Sequence, residues 1–119
     1  MAINPSGRLI HYKKSNGKLT VLKDQILFAN GLVLSPDEDF IVVAETGTST
    51  LHRVWLQGAK AGTSEVFIDG LPGTPDNLTV NKKGILVTLA VTIDDTHPAA
   101  SHFLAPFPII RKFIVRLCE

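Results

Sequence analysis

Two polar pairs, at equivalent positions of an internal repeat, are the residues of this sequence best suited to chemistry. Asn30, followed by Gly31, and Asp76, followed by Asn77, each precede a short apolar segment, and Asp76 falls 46 positions after Asn30. A carboxylate combined with amide oxygens suits a hard cation such as calcium, which takes about six to eight oxygen ligands, and suits zinc poorly. The alternative is that these side chains cap the starts of strands, as Asn and Asp commonly do. The residues alone leave both interpretations open.

The first pair stands before a predicted β-hairpin. Residues 32–34 form a short apolar strand, Ser35-Pro36-Asp37-Glu38 has the composition of a turn, and residues 40–44 form a second, β-branched strand. Runs that are apolar on both faces predict strands buried between neighbouring sheets. Because the Asn-Gly pair lies before the first strand, it is not the hairpin turn.

The same order of elements recurs with a constant spacing. Leu32 matches Leu78 at this spacing. Further upstream, Leu22 matches Ile68, and both Leu22 and Ile68 end a predicted strand. A repeat of about 40–50 residues with four strands per unit is typical of β-propeller blades. The innermost strand of each blade lines a central channel, so the two polar pairs are expected at one mouth of it. Antiparallel pairing returns the end of the second strand to the start of the first, which makes Glu45 a candidate partner that orients the ligands.

The predicted fold is therefore all-β, with residues 7–91 forming half a blade, a full blade and another half blade. The remaining strands are predicted from apolar runs separated by turn residues, the clearest turn being Asn16-Gly17. They cover residues 7–14, 19–22, 51–56, 64–68 and 85–91.

Residues 92–119 are predicted to form a loop followed by an amphipathic helix from Phe103 to Leu117. Apolar residues recur there at helical spacing, and basic residues take much of the opposite face. Such a helix packs on the propeller or, alternatively, contacts a membrane surface. Asp94, Asp95 and His97 are more typical of a solvated loop than of a metal site.

Composition excludes several classes. The chain has 119 residues, 45% of them hydrophobic, with 12 basic and 11 acidic side chains, and this near-neutral balance argues against a nucleic-acid partner. The single cysteine, Cys118, permits no internal disulfide bond. No apolar run approaches the roughly 18 residues of a membrane-spanning helix. A ring of blades needs more chain than this, so we expect the remaining blades of the same protein to complete it.

Several motifs in combination resemble the strictosidine synthase-like family. They are Phe28-Ala29-Asn30-Gly31, Ser35-Pro36-Asp37, Val43-Ala44-Glu45-Thr46, Lys60-Ala61-Gly62-Thr63-Ser64-Glu65-Val66-Phe67 and Leu71-Pro72-Gly73-Thr74-Pro75-Asp76-Asn77. The tail Pro108-Ile109-Ile110-Arg111-Lys112-Phe113-Ile114 resembles the animal members of the family. This resemblance implies a six-bladed propeller, of which the chain holds about two to two and a half blades with a C-terminal helical insertion. It also implies a membrane-associated or secretory-pathway location.

Paraoxonases and gluconolactonases are more distant relatives with similar motifs. Carried over from them, Asn30, Asp76 and Asn77 would bind a central calcium that polarises an ester or lactone carbonyl. The resemblance thus implies that the full-length protein is an arylesterase-like hydrolase, with catalytic acid and base residues outside this chain. The alternatives are a non-catalytic, membrane-associated propeller with structural calcium and, less favoured, a strictosidine synthase-type condensation, because the glutamate for that reaction lies beyond Glu119. The glycosylation sequon Asn77-Leu78-Thr79 is expected to be unused.

Overall fold

The computed structural model describes residues 4–92, which form eight β-strands and one short 3₁₀ turn. The strands are β1 (Gly7–Lys13), β2 (Lys18–Ile26), β3 (Ala29–Leu34), β4 (Phe40–Glu45), β5 (Thr50–Trp55), β6 (Ser64–Ile68), β7 (Gly73–Asn81) and β8 (Gly84–Thr92). The predicted helix from Phe103 to Leu117, the loop with Asp94, Asp95 and His97, and Cys118 lie outside the described residues.

The strands form three antiparallel sheets in chain order. The first sheet is the hairpin β1–β2, the second has the order β3-β4-β5-β6, and the third is the hairpin β7–β8. A four-stranded meander between two two-stranded sheets is the arrangement of a partial propeller: a complete blade flanked by two half blades. The all-β fold class predicted from the repeat is therefore confirmed.

The middle strands of the central sheet, β4 and β5, are packed on both faces by the neighbouring hairpins. On one face, Val43 and Val54 pack with Leu9 and Ile26 of the first hairpin. On the other face, a buried cluster of β4 and β5 meets partly buried apolar residues of β7 and β8, among other neighbours. The residues of this second cluster are Val42, Ala44 and Leu51, with Leu78, Ile85 and Val87 against them. Burial on both faces explains why β4 has no alternating polar pattern. The burial predicted for the strand before it is wrong, because Leu32 and Leu34 of β3 are exposed.

Turn chemistry accounts for the hairpin between β3 and β4. The Ser35 hydroxyl accepts hydrogen bonds from the backbone N–H groups of Asp39, at 3.0 Å, and Phe40, at 3.1 Å. The same hydroxyl donates to the Asp39 carboxylate at 2.6 Å, and the Glu38 N–H bonds the Ser35 carbonyl at 2.9 Å. The predicted turn at residues 35–38 is confirmed, as is the Asn16-Gly17 turn, where Gly17 has a φ of +68°.

Two sequence-based boundaries were wrong. Strand β2 does not end at Leu22 but continues to Ile26, whose side chain is fully buried. The polar pairs do not precede their strands but lie inside β3 and β7. In both cases polar residues continue the backbone pairing beyond the point where the apolar pattern stops.

Candidate functional site

Both polar pairs lie at matching irregularities of the sheet. In β3, Ala29 pairs with Glu45 but Leu32 pairs with Val43, so the strand carries one extra residue at Asn30-Gly31. In β7, the residues 46 positions later show the same irregularity, opposite Leu89 and Val87 of β8. A bulge of this kind leaves backbone out of the regular ladder and re-aims side chains. The internal repeat thus includes the local backbone geometry of the two polar pairs as well as their sequence position.

Strands β3 and β7 approach closely at these bulges. A β-carbon built on Gly31 would lie 2.7 Å from the Asn77 α-carbon and 2.8 Å from the Leu78 nitrogen. Such distances are shorter than van der Waals contact, so the two backbones can meet only because residue 31 has no side chain. The structure therefore brings Asn30 and Asp76, predicted to converge from neighbouring blades, onto adjoining segments of backbone.

A hydrogen-bonded chain connects the two strands through Thr46. The Asn30 side-chain amide (Nδ2) donates to the Thr46 hydroxyl at 3.2 Å, and that hydroxyl donates to the Pro75 carbonyl at 2.5 Å. Thr46 follows β4 directly and its own N–H bonds the Phe28 carbonyl at 3.1 Å. Glu45 was predicted to be the partner of Asn30 at the end of β4. The residue that contacts the Asn30 side chain is instead the next one, Thr46.

Asp76 and Asn77 differ in their surroundings. The Asn77 backbone is held on both sides by the Thr88 hydroxyl, which accepts from the Asn77 N–H at 3.0 Å and donates to the Asn77 carbonyl at 3.1 Å. Asp76 is half-buried and the Asn77 side chain is exposed. Across residues 4–92, neither side chain makes a hydrogen bond to another protein group. The oxygens of both side chains therefore keep their capacity to accept.

The donor chemistry of the two pairs fits a hard cation. Asn30, Asp76 and Asn77 offer two amide oxygens and one carboxylate, with no nitrogen or sulfur ligand among them. Within residues 4–92, no group of three or more His, Cys, Asp or Glu side chains could hold a metal, which argues against a zinc-type site in that part of the chain. Three side chains supply fewer oxygens than the six to eight that calcium takes. Any such site needs further oxygens from water or other segments.

Glu45 is engaged in a different, partly buried network. Its carboxylate accepts a hydrogen bond from the Leu27 N–H at 2.7 Å and a second from the His52 ring. Burial raises the pKa of Glu45, but the bonds from Leu27 and His52, the nearby His52 charge and a bond from Thr48 outweigh it and leave the pKa below its ordinary value of 4.5. Glu45 is therefore an ionised structural anchor between β4, β5 and the segment before β3. A role in orienting metal ligands stays a prediction.

Arg53 occupies a second polar cluster, on the outer strands of the central sheet. Its Nε and Nη2 donate to Glu65 at 2.8 and 2.5 Å, and the Trp55 indole donates to the same carboxylate oxygen at 3.1 Å. The guanidinium carbon lies 5.3 Å from the ring centre of Phe40, 4.6 Å from Trp55 and 4.9 Å from Phe67. The bonds from Arg53 and Trp55 lower the pKa of Glu65. Sequence reasoning missed this cluster because it depends on cross-strand register.

An apolar cleft of about 490 Å³ opens between the central sheet and the third hairpin. It lies at the opposite end of β3 and β7 from the polar pairs. Its lining includes Phe40, Leu51, Phe67 and Ile68 from the central sheet, Ser35 and Pro36 from the turn after β3, and Val80, Asn81, Lys82, Lys83, Gly84, Ile85 and Val87 from the third hairpin. This cleft and the polar pairs are therefore separate features. Residues 4–92 contain no helix that could span a membrane.

Comparisons with known proteins agree with the motifs. The family model described as strictosidine synthase matches residues 1–59. The chain is 54% identical over 114 residues to adipocyte plasma membrane-associated protein Hemomucin of Drosophila melanogaster, covering 96% of this chain and 20% of that protein. It is 38% identical over 113 residues to adipocyte plasma membrane-associated protein of Rattus norvegicus, covering 93% of this chain and 30% of that protein.

A plant relative matches a shorter part of the chain. Strictosidine synthase-like 10 of Arabidopsis thaliana is 46% identical over 82 residues, which is 69% of this chain and 22% of that protein. The chain thus spans between a fifth and a third of the length of these curated relatives. From the family match and these identities, the chain belongs to the strictosidine synthase-like family, and within it is similar to the adipocyte plasma membrane-associated proteins.

Proposed function

We propose that the full-length protein is a calcium-dependent hydrolase of small aryl esters or lactones, and that this chain supplies Asn30, Asp76 and Asn77 to the metal. The observation that carries the proposal is the pair of matching bulges on β3 and β7, which meet backbone to backbone at Gly31. The approach of these two backbone segments, each carrying oxygen-bearing side chains, supports a cation site shared by neighbouring blades.

The chain's own contribution to catalysis is to hold oxygen atoms in fixed positions. The Thr88 hydroxyl fixes the Asn77 backbone, and Thr46 connects Asn30 to the Pro75 carbonyl beside Asp76. Bound calcium would act as a Lewis acid that stabilises negative charge developing on a carbonyl oxygen. Rigid ligands favour this role because little reorganisation is needed when the charge forms. The acid and base that move protons are proposed to come from the remaining blades.

A second candidate function is a non-catalytic propeller in which calcium is structural. The observation that favours it is the state of the Glu45–His52 pair. Each group is about nine-tenths buried and bonded to the other, so the pair joins β4 to β5 in the interior of the sheet and serves the fold. The names of the Drosophila and rat relatives refer to association with the plasma membrane, and we extend that membrane association to this protein as part of this second proposal. A strictosidine synthase-type condensation is the least supported alternative.

Measurements of hydrolytic activity and of calcium-dependent stability on the same full-length protein distinguish the two proposed functions. The hydrolase proposal expects hydrolysis of phenyl acetate or a simple lactone that is lost on chelation, restored by calcium and abolished in Asp76→Ala. Asp37→Ala, an exposed aspartate in the β3–β4 turn, is the matched control and is expected to retain activity. Turnover that survives Asp76→Ala would contradict the hydrolase mechanism. Calcium-dependent stability with no turnover would support the structural alternative.

A further inference from the structure

Thr46 occupies a central position between the two polar pairs. It lies in the short 3₁₀ turn Thr46–Thr48 that follows β4, and its backbone N–H is tied to Phe28 just before β3. Its side chain reaches Asn30 on one side and the carbonyl of Pro75, the residue before Asp76, on the other. One hydroxyl therefore touches both strands that carry the candidate ligands.

The single proton of the Thr46 hydroxyl determines which way the Asn30 side-chain amide faces. A threonine hydroxyl carries a single proton, and here the proton is donated to the Pro75 carbonyl, which can only accept. Toward Asn30 the hydroxyl can then offer only a lone pair, so it must face the amide nitrogen, which donates. The reversed amide would place its oxygen against a hydroxyl oxygen that has no proton to give.

This orientation directs the Asn30 carbonyl oxygen away from Thr46. The oxygen and nitrogen of a planar carboxamide point in different directions, so an amide held through its nitrogen keeps its oxygen available. That oxygen is the atom a cation would bind, since the amide nitrogen has no lone pair to offer.

We infer that Thr46 is a positioning residue of the metal site: its hydroxyl sets the amide of Asn30 so that the side-chain oxygen faces the cation. The inference rests on the proposed calcium site and adds to it a residue that does not itself bind the metal. Groups that orient metal ligands in this way typically contribute about 10–100-fold to metal affinity.

The test compares Thr46→Val with Thr46→Ser in the full-length protein. Valine keeps the shape of threonine but has no hydroxyl, whereas serine keeps the hydroxyl. Calcium affinity is measured by isothermal titration, with terbium luminescence as a second probe. We expect Thr46→Val to weaken affinity about tenfold or more and Thr46→Ser to stay close to the unmodified protein. Thr50→Val is the control, because it removes the hydroxyl of a buried threonine that bonds the Thr48 carbonyl and contacts neither candidate ligand strand through that bond.

The outcomes separate this inference from the calcium proposal itself. Unchanged affinity in Thr46→Val, with binding lost in Asn30→Ala, would overturn the positioning role and leave the calcium site standing. Equal weakening in the valine and serine variants would also overturn it, because serine retains the hydroxyl. Absence of calcium binding in the unmodified protein would overturn both. If Thr46→Val does not fold, Thr46→Ala replaces it, since alanine adds no bulk. Its calcium affinity is then compared with that of Thr46→Ser in the same way.

Discussion

Gly31 lies against the backbone of Asn77, so close that a β-carbon on residue 31 would come within 2.7 Å of the Asn77 α-carbon. This contact joins the inner strands of two blades at the position of the two polar pairs. It explains why an Asn-Gly dipeptide stands inside a strand, where glycine ordinarily weakens pairing. The glycine is required there for close packing between sheets.

Gly31→Ala is therefore expected to destabilise the full-length protein by about 1–3 kcal/mol, since an inserted methyl must push two backbones apart. The measurement is the free energy of unfolding in urea. Ser64→Thr, which adds one methyl at an exposed position of β6, is the control and is expected to have little effect. Equal stability of Gly31→Ala and the unmodified protein would contradict the close approach of β3 and β7.

Glu45 is expected to make stability depend on pH in the acid range. Its pKa in the folded protein lies below the ordinary value of 4.5, so its contribution is complete above that value and declines as the pH falls toward the folded pKa. Glu45→Gln removes the charge that His52 bonds and is expected to cost about 1–3 kcal/mol at neutral pH. It should also flatten the loss of stability on acidification.

The check for Glu45 is a series of unfolding curves between neutral pH and pH 3. Glu38→Gln, at an exposed turn position, provides the control. A Glu45→Gln variant with the same stability and the same acid dependence as the unmodified protein would show that the Glu45–His52 pair does not stabilise the fold.

Arg53 is expected to be poorly replaced by lysine. Lysine keeps the charge but lacks the planar group that lies among Phe40, Trp55 and Phe67, and it cannot donate through two guanidinium nitrogens to Glu65. Loss of the aromatic contacts alone should lower the free energy of unfolding by about 1 kcal/mol. Arg8→Lys, at an exposed position of β1, is the control. Full retention of stability by Arg53→Lys would mean that the aromatic cluster is not energetically important.

Asn77 is expected to carry no glycan, although Asn77-Leu78-Thr79 is a glycosylation sequon. The residue lies in a bulged strand whose backbone is fixed by Thr88, and a glycan there would block the oxygen proposed to bind calcium. Peptide mass mapping before and after glycosidase treatment tests this. Thr79→Ala destroys the sequon without touching Asn77, and this variant, like the unmodified protein, should show no glycosidase-sensitive mass shift and unchanged calcium affinity. A glycosidase-sensitive shift mapped to Asn77 would exclude it as a ligand.

The spacing of 46 residues carried most of the fold prediction. It aligned β3 with β7, and it predicted that Asn30 and Asp76 would come from neighbouring blades to one place. Apolar runs located β4 and β5 because these strands are packed on both faces, so burial and strand position coincide there.

The parts that the sequence did not reveal depend on pairing register. Hydrophobic periodicity does not detect polar residues that continue the hydrogen bonding between strands. The bulges at the two polar pairs and the extension of β2 to Ile26 could therefore not be predicted from the sequence. The Glu45–His52 contact and the place of Arg53 among aromatic rings arise from cross-strand neighbours. Thr46 could have been found from its position beside Glu45, but its hydrogen bonds require the fold.

The central claim is that Asn30 and Asp76 hold the same calcium ion, and calcium titration of a double-mutant cycle in the full-length protein tests it most directly. Asn30→Ala and Asp76→Ala are each predicted to weaken binding about tenfold or more. The double variant is predicted to lose much less than the sum of the two losses, because the first removal already disables the shared site. Calcium affinity in Asp76→Ala equal to that of the unmodified protein would contradict the account.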